Sequence, residues 1–130
     1  MSVLSYIFQQ RPSITYAITV CNEIKEIENL LNHLLPNIRK KDEIIVLQDV
    51  TIRNGKVTEL LKKYSNRIKV HESRLDGDFS KFKNQLIPLA SGDYLFQIDA
   101  DELLPIPLIK GLPGYIALKS KHDCFSIPRL

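Results

Sequence analysis

Residues 91–102 read "SGDYLFQIDADE" and contain the most strand-like apolar run in the chain. A small polar turn leads into the run, and three carboxylates follow within the four residues 99–102. A buried strand that gives way to an ordinary turn does not need so much negative charge. Since ligands bind outside the carboxyl ends of the strands in an open α/β sheet, this acidic end is the first candidate for a functional site.

The rest of the chain alternates between strand and helix patterns. Runs rich in β-branched and aromatic residues predict strands, and apolar residues at three- and four-residue steps predict amphipathic helices. The predicted strands are residues 13–21, 43–49, 67–72 and 91–99, and the predicted helices are residues 22–36, 56–64 and 79–90. This alternation predicts an α/β fold whose mostly parallel sheet is flanked by helices.

Local signals refine these boundaries. Asn22 is an expected N-cap of the first helix, and Pro88 requires the third helix to kink or end near it. Residues 103–114 hold three of the seven prolines, which predicts a loop with at most a short helix. Residues 123–130 begin another predicted strand.

Bulk composition places the chain among single soluble domains. It has 130 residues, of which 44% are apolar, and a net charge of +3. This mild charge does not argue for a nucleic-acid binder, which would usually show a concentrated basic stripe. Cys21 and Cys124 fall in predicted strands, which indicates two buried thiols in a reducing compartment. We find no signal peptide and no run of about 20 apolar residues that could cross a bilayer. A cytoplasmic location is therefore expected.

Acidic and polar residues end three of the predicted strands, at residues 22–23, 48–49 and 99–102. Like charges gathered at one sheet edge cost free energy unless a positive group joins them. Asp99 and Asp101 are two apart, so an extended backbone points both to one side. Such a pair suits Mg²⁺ or Mn²⁺, which accept one or two protein carboxylates together with water and phosphate oxygens. The alternative is a solvated turn that caps the next helix, and spacing alone does not separate the two interpretations.

A phosphate-bearing ligand would need positive or backbone partners. Neither GxGxxG nor GxxxxGK[ST] occurs, which argues against dinucleotide oxidoreductases and P-loop enzymes. Lys81 and Lys83 lie near the start of the third predicted helix, and at most one of them faces the site because residues two apart do not share a helix face. A solvated surface position is the better interpretation for Lys81.

Several motifs in the same order resemble glycosyltransferase family 2 with the GT-A fold. "ITVCNEIKEIENLLNHL" resembles the family's opening strand and helix, and "EIIVLQDVT" resembles its second strand, which usually ends in two acidic residues. Gln48 replaces the first of these acids, and Asp49 keeps the second. "DFSKFKNQLIPLASGDYLFQIDADE" resembles the most diagnostic stretch, with Lys83-Asn84 at the Arg-Asn position. "DCFSIPRL" is similar to the next strand in lipopolysaccharide-core glucosyltransferases. The resemblance implies a Rossmann-like nucleotide-binding half.

The resemblance implies a role for each matched residue. Thr19 and Glu23 would lie beside the nucleotide base, and Asp49 would accept a hydrogen bond from uracil or its equivalent. Lys83 would lie near the base or diphosphate. Asp99 would contact the ribose or help hold the metal, and Asp101 would bind the Mn²⁺ or Mg²⁺ ion that bridges the diphosphate. The implied donor is a UDP-glucose-like nucleoside diphosphate sugar, and the implied acceptor is a glycan or lipopolysaccharide-like molecule.

The family's acceptor-binding stretch, which supplies the general base of an inverting displacement, normally follows the point where this sequence stops. Neither Glu102 nor Asp123 can be assigned that role. We therefore expect residues 1–130 to form one nucleotide-sugar-binding domain, as a fragment, a natural truncation or half of a split enzyme. The alternative function is an inactive GT-A domain that acts as a nucleotide-binding or protein-interaction module. A homodimer through an unmatched sheet edge and peripheral membrane association are left open.

Overall fold

A computed structural model describes residues 12–118, with side chains through residue 116. Strands and helices alternate along the chain, as the sequence predicts. The strands are β1 (Ile14–Val20), β2 (Glu43–Asp49), β3 (Lys69–Ser73) and β4 (Tyr94–Asp99). The helices are α1 (Ile24–Leu34), α2 (Gly55–Lys62), α3 (Phe79–Asn84), a 3₁₀ turn (Ile87–Leu89) and α4 (Ile106–Leu118).

The four strands form one fully parallel sheet in the order β3-β2-β1-β4. All four strands therefore end at the same edge, which we call the carboxyl edge. In register, Thr19 of β1 lies between Leu47 of β2 and Asp99 of β4. Asp49 of β2 pairs with Ser73 of β3. The predicted α/β fold with a parallel sheet flanked by helices is confirmed.

Both faces of the sheet are covered, which explains the nearly continuous apolar strands. One face packs on α1, α2 and α4 through a large buried cluster that includes Ile18 and Val46. The other face packs on α3 through Ala17 and Ile45, each one residue earlier along its strand. Alternation along β1 and β2 therefore assigns each side chain to one face.

The turn at residues 91–93 joins the starts of β4 and β1, at the edge opposite the carboxyl edge. Ser13 N and Oγ both donate to Asp93 Oδ2, at 3.0 and 3.2 Å, and Gly92 N donates to Thr15 Oγ1 at 2.9 Å. Gly92 lies so close to β1 that a Cβ there would meet Thr15 Oγ1 at 2.7 Å and Thr15 N at 2.8 Å. This turn is structural, and only the far end of β4 belongs to the candidate site.

Glu43 reinforces the same edge from β2. Its Oε1 accepts from Thr15 Oγ1 at 2.7 Å and from Ser91 N at 2.6 Å, and its Oε2 pairs with Lys69 Nζ at 3.0 Å. Burial acts to raise the pKa of Glu43, but these hydrogen bonds outweigh it and lower the pKa from 4.5 to about 2. The ionised carboxylate is therefore part of the folded structure.

The structure corrects the expectation for residues 103–114. The segment from Ile106 to Leu118 is a helix of 13 residues, although Pro113 lies inside it. Pro107 stands in the first turn, where no backbone donor is needed. Ile109, Leu112 and Ile116 are buried against the sheet, so tertiary packing outweighs the local signals that proline and glycine give.

Two smaller expectations also change. The N-cap of α1 is Glu23 rather than Asn22, and its side chain makes no capping bond to the helix. Cys21 lies just after β1 and is partly exposed rather than buried. The third helix ends at Asn84, before Pro88, which agrees with the expectation that it kinks or ends near this proline. The predicted strand 123–130, with Cys124 and Asp123, lies outside the described residues.

Candidate functional site

The parallel topology brings the acidic strand ends together around one cleft at the carboxyl edge. The cleft has a volume of about 220 Å³. Its lining combines the ends of β1, β2 and β4 with the start of α3: Thr19, Val20, Cys21, Glu23, Asp49, Phe79, Phe82, Asp99, Ala100 and Asp101. Five of the six residues that the sequence analysis assigned to the site therefore line one cavity, and the sixth, Lys83, contacts its wall.

Asp99 lies at the centre of the contacts on the β4 side. Its Oδ1 accepts from Thr19 Oγ1 at 3.0 Å and pairs with Lys83 Nζ at 2.9 Å. The Lys83 ammonium also lies 4.7 Å from the centroid of the Phe79 ring. Both contacts of Asp99 fall on Oδ1, so Oδ2 has no partner within residues 12–118.

The turn at residues 99–102 has a fixed shape. Glu102 Oε1 accepts from Asp99 N at 2.9 Å, and Glu102 N donates to Asp99 O at 2.9 Å. Ala100 N donates to Thr19 O at 3.0 Å, and the Ala100 side chain is buried. Asp101 is exposed at the cleft, and its carboxylate has no hydrogen bond or ion pair with another described residue. Glu102 thus shapes the turn, and Asp101 is left accessible to a ligand.

Asp49 connects two loops on the β2 side. Its Oδ1 accepts from Thr51 N at 3.0 Å, Thr51 Oγ1 at 2.6 Å and Leu75 N at 3.3 Å. Burial acts to raise the pKa of Asp49, but the hydrogen bonds from Thr51 and Leu75 outweigh it, and the pKa is lowered. Asp49 is therefore a buried carboxylate that stays ionised, and it anchors the loop that leads into α3.

The β1 side of the cleft contains Cys21 and Glu23. Glu23 Oε2 accepts from Cys21 N at 2.7 Å, which directs the carboxylate back toward the strand end. Burial raises the pKa of the Cys21 thiol, and the negative charges of Asp49 and Glu23 raise it further. The thiol is therefore kept protonated and serves as a small wall group.

Gln48 lies on the opposite face of the sheet from the cleft. It is buried, and its Nε2 donates to Thr58 Oγ1 of α2 at 3.0 Å. Gln48 and Asp49 are consecutive in β2, so their side chains must point to opposite faces. The replacement of an acid by Gln48 therefore removes no charge from the cleft lining.

Sequence reasoning missed the apolar wall and the groups that support Asp49. Phe79 and Phe82 lie three residues apart on α3 and line the cleft, and this spacing is a detectable helical signal. Thr51 and Leu75 reach Asp49 only because two loops fold back toward it. No residue pattern encodes that loop geometry.

The carboxylates at the cleft can bind a cation that takes few of its ligands from the protein. Within the described part of the chain, no three His, Cys, Asp or Glu side chains form a ready metal-ligand group. Asp99 Oδ2 and Asp101 are the two carboxylate positions left available at the β4 end. Mg²⁺ typically takes one or two protein carboxylates and completes its octahedron with water and substrate phosphate, so the residues fit a cation that arrives with a diphosphate.

Residues 15–122 match the profile described as Glycosyl transferase family 2. The chain belongs to this family. The family relatives include the glycosyltransferase GlyG of Streptococcus pneumoniae, 25% identical over 76% of this chain and 33% of its own length. They also include the prophage-derived glycosyltransferase SunS of Bacillus subtilis, 30% identical over 78% of this chain and 23% of its own length.

Solved structures share the fold. TarS of S. aureus in complex with UDP-GlcNAc superposes with a TM-score of 0.67 at 19% identity, over 90% of this chain and 37% of that chain. The mannosyltransferase PcManGT of Pyrobaculum calidifontis, in complex with GDP-Man and Mn²⁺, superposes with a TM-score of 0.69 at 20% identity, over 85% of this chain and 34% of that chain. These matches confirm a GT-A-like fold.

This family 2 chain spans only about a quarter to a third of the length of the curated relatives named above. The narrower resemblance to lipopolysaccharide-core glucosyltransferases stays a prediction. Between residues 12 and 118, no helix is both long enough and apolar enough to cross a bilayer.

Proposed function

We propose that the cleft at the carboxyl edge binds the nucleoside diphosphate part of a sugar donor. The chain would thereby serve a family 2 glycosyltransferase that moves a hexose, from a UDP-linked donor, to a glycan or lipopolysaccharide-like acceptor. The observation that carries the proposal is the convergence of three acidic strand ends on one cavity, with Asp101 and Asp99 Oδ2 left available. Family membership and neighbours that bind UDP-GlcNAc or GDP-Man support it.

Each of the six predicted site residues has a role in this proposal. Asp99 and Asp101 would hold Mn²⁺ or Mg²⁺, and the bound ion would neutralise the charge of the diphosphate leaving group. Lys83 would add positive charge beside it. Thr19, Glu23 and Asp49 would face the base and ribose, because they line the β1 and β2 sides of the same cavity.

Group transfer itself needs a second set of residues. In an inverting displacement a base removes the acceptor hydroxyl proton while that oxygen attacks the anomeric carbon and the nucleoside diphosphate departs. Glu102 is not suited to act as this base, because its carboxylate accepts from Asp99 N in the turn. We propose that residues 1–130 form the donor-binding domain, and that the acceptor site and the base lie elsewhere in the complete enzyme.

Calorimetric titration tests donor binding. UDP should bind more tightly with Mn²⁺ than with EDTA, and Asp101→Asn should abolish most of this metal effect because it removes the accessible charged ligand. Asp93→Asn is the matched control, because Asp93 lies at the opposite edge of the sheet. Binding that ignores both Mn²⁺ and Asp101→Asn would contradict the proposed site.

A second assay separates an enzyme from a nucleotide-binding module. The chain is incubated with UDP-glucose, Mn²⁺ and candidate glycan acceptors, and released UDP is quantified. Acceptor-dependent release would assign turnover to these residues. Tight UDP binding without any release would favour the module.

A further inference from the structure

The Lys83–Asp99 ion pair places a cation on one of the two carboxylates that the proposed function assigns to the metal. We propose that Lys83 is an exchangeable counterion: it pairs with Asp99 in the free protein and transfers to the diphosphate when nucleotide and metal bind together. This inference rests on the proposed function and specifies how the same site is loaded.

The charge around the cleft explains why a counterion is needed. Four carboxylates line the cavity, from Glu23, Asp49, Asp99 and Asp101, and no lysine or arginine of the described residues is in that lining. Lys83 reaches Asp99 from the side, at 2.9 Å. Its ammonium therefore offsets part of a repulsion that would otherwise destabilise the free protein.

The ion pair between Lys83 and Asp99 can open and be replaced by another contact. The Lys83 side chain is 25% exposed and that of Asp99 is 39% exposed, so the pair is worth little in free energy and can open. The Phe79 ring lies 4.7 Å from the same ammonium, so a cation–π contact can keep the ammonium beside the cleft when the ion pair opens. A long flexible stem lets the ammonium move to a nearby phosphate oxygen without a change in the helix.

Two consequences follow for loading of the site. Lys83 already offsets the charge of Asp99 through Oδ1, so Mn²⁺ alone meets a largely neutralised carboxylate at Oδ2 and binds weakly. When a diphosphate arrives, Lys83 gains a new anionic partner and the full negative charge of Asp99 becomes available to the cation. Metal and nucleotide therefore bind with positive coupling, and by linkage each raises the affinity of the other by the same factor.

The test compares Lys83→Met with Lys81→Met, a matched control on the exposed side of α3. Mn²⁺ binding without nucleotide is measured from the free-ion electron paramagnetic resonance signal, and UDP binding with saturating Mn²⁺ is measured by calorimetry. Loss of the competing ammonium should strengthen binding of Mn²⁺ alone by about fivefold. Loss of a charge-assisted phosphate contact should weaken UDP binding by about tenfold.

Tighter binding of Mn²⁺ alone together with weaker binding of UDP in Lys83→Met identifies the exchange. Lys81→Met should leave both affinities unchanged. Lys83→Arg keeps the charge, so it should bind Mn²⁺ alone as weakly as the wild type does. It replaces Lys83→Met in the comparison if circular dichroism shows that Lys83→Met is poorly folded. Unchanged Mn²⁺ affinity in a folded Lys83→Met protein would overturn the exchange, even where wild type binds UDP with Mn²⁺ as proposed. Failure of wild type to bind UDP at all would instead overturn the proposed function, and the Mn²⁺-only comparison would still decide whether Lys83 competes for Asp99.

Discussion

Substitution of Gly92 by alanine should destabilise the whole domain, although Gly92 lies far from the cleft. The new Cβ would lie 2.7 Å from Thr15 Oγ1 and 2.8 Å from Thr15 N, which are separations that require β1 or the turn to move. Overpacking of this kind costs about 1–3 kcal/mol. The shift also weakens the hydrogen bond from Gly92 N to Thr15 Oγ1, which is worth about 1 kcal/mol.

Together these effects predict a loss of about 2–4 kcal/mol in the free energy of unfolding. That is a large part of the roughly 5–15 kcal/mol that stabilises a typical domain. With a urea m value of about 2 kcal/mol per M, the unfolding midpoint should fall by about 1–2 M. Circular dichroism during urea titration measures the shift.

Gly111→Ala provides a matched control for the same chemical change. Gly111 is exposed in α4, and a Cβ there meets nothing within 4 Å. Alanine at an exposed helical position should therefore raise stability by about 0.5–1 kcal/mol. A Gly92→Ala protein that unfolds at the wild-type urea concentration would refute the close approach between the turn and β1.

Three further changes test separate parts of the structure. Glu102→Ala should weaken Mn²⁺-dependent UDP binding about fivefold by releasing Asp99 N, whereas Glu102→Gln keeps an acceptor and should stay near wild type; equal damage by both would mean that the negative charge itself is required. Tyr16→Phe should raise the urea midpoint, since the buried hydroxyl has no partner among the described residues; a lower midpoint would reveal an unseen partner. Glu43, with its pKa lowered from 4.5 to about 2, contributes stability that is present above pH 4.5 and is lost as the pH falls toward 2. Glu43→Gln should therefore make the free energy of unfolding less dependent on pH between 4.5 and 2. An unchanged pH dependence would contradict the lowered pKa.

The sheet and its functional edge follow from local sequence patterns. Strands buried on both faces need continuous apolar runs such as residues 14–20, and the three-to-four-residue spacing of Ile27, Leu30 and Leu34 leaves only a helix as the crossover. Because such crossovers produce parallel strands, the ends of β1, β2 and β4 had to meet at one edge. The acidic cleft was therefore predictable from topology.

Other features depend on packing that no short window of sequence records. The apolar face of α4 is stable only because the sheet is there to bury Ile109 and Leu112, so its prolines gave a misleading local signal. The pairing of Lys83 with Asp99 depends on how α3 lies over the sheet, and the support of Asp49 by Leu75 depends on a loop that includes a positive-φ residue, Asp76. These contacts are set by tertiary geometry.

Paramagnetic broadening by Mn²⁺ in the presence of UDP tests the central claim most directly. In a two-dimensional amide NMR spectrum of the chain, the ion should broaden the signals of Ala100, Asp101 and Glu102 first, because those amides surround the proposed ligands. The amides of Gly92 and Asp93 lie at the far end of β4, about 20–25 Å away along the strand, and should stay much sharper. Equal broadening at both ends, or broadening that UDP does not enhance, would contradict a donor site at the carboxyl edge.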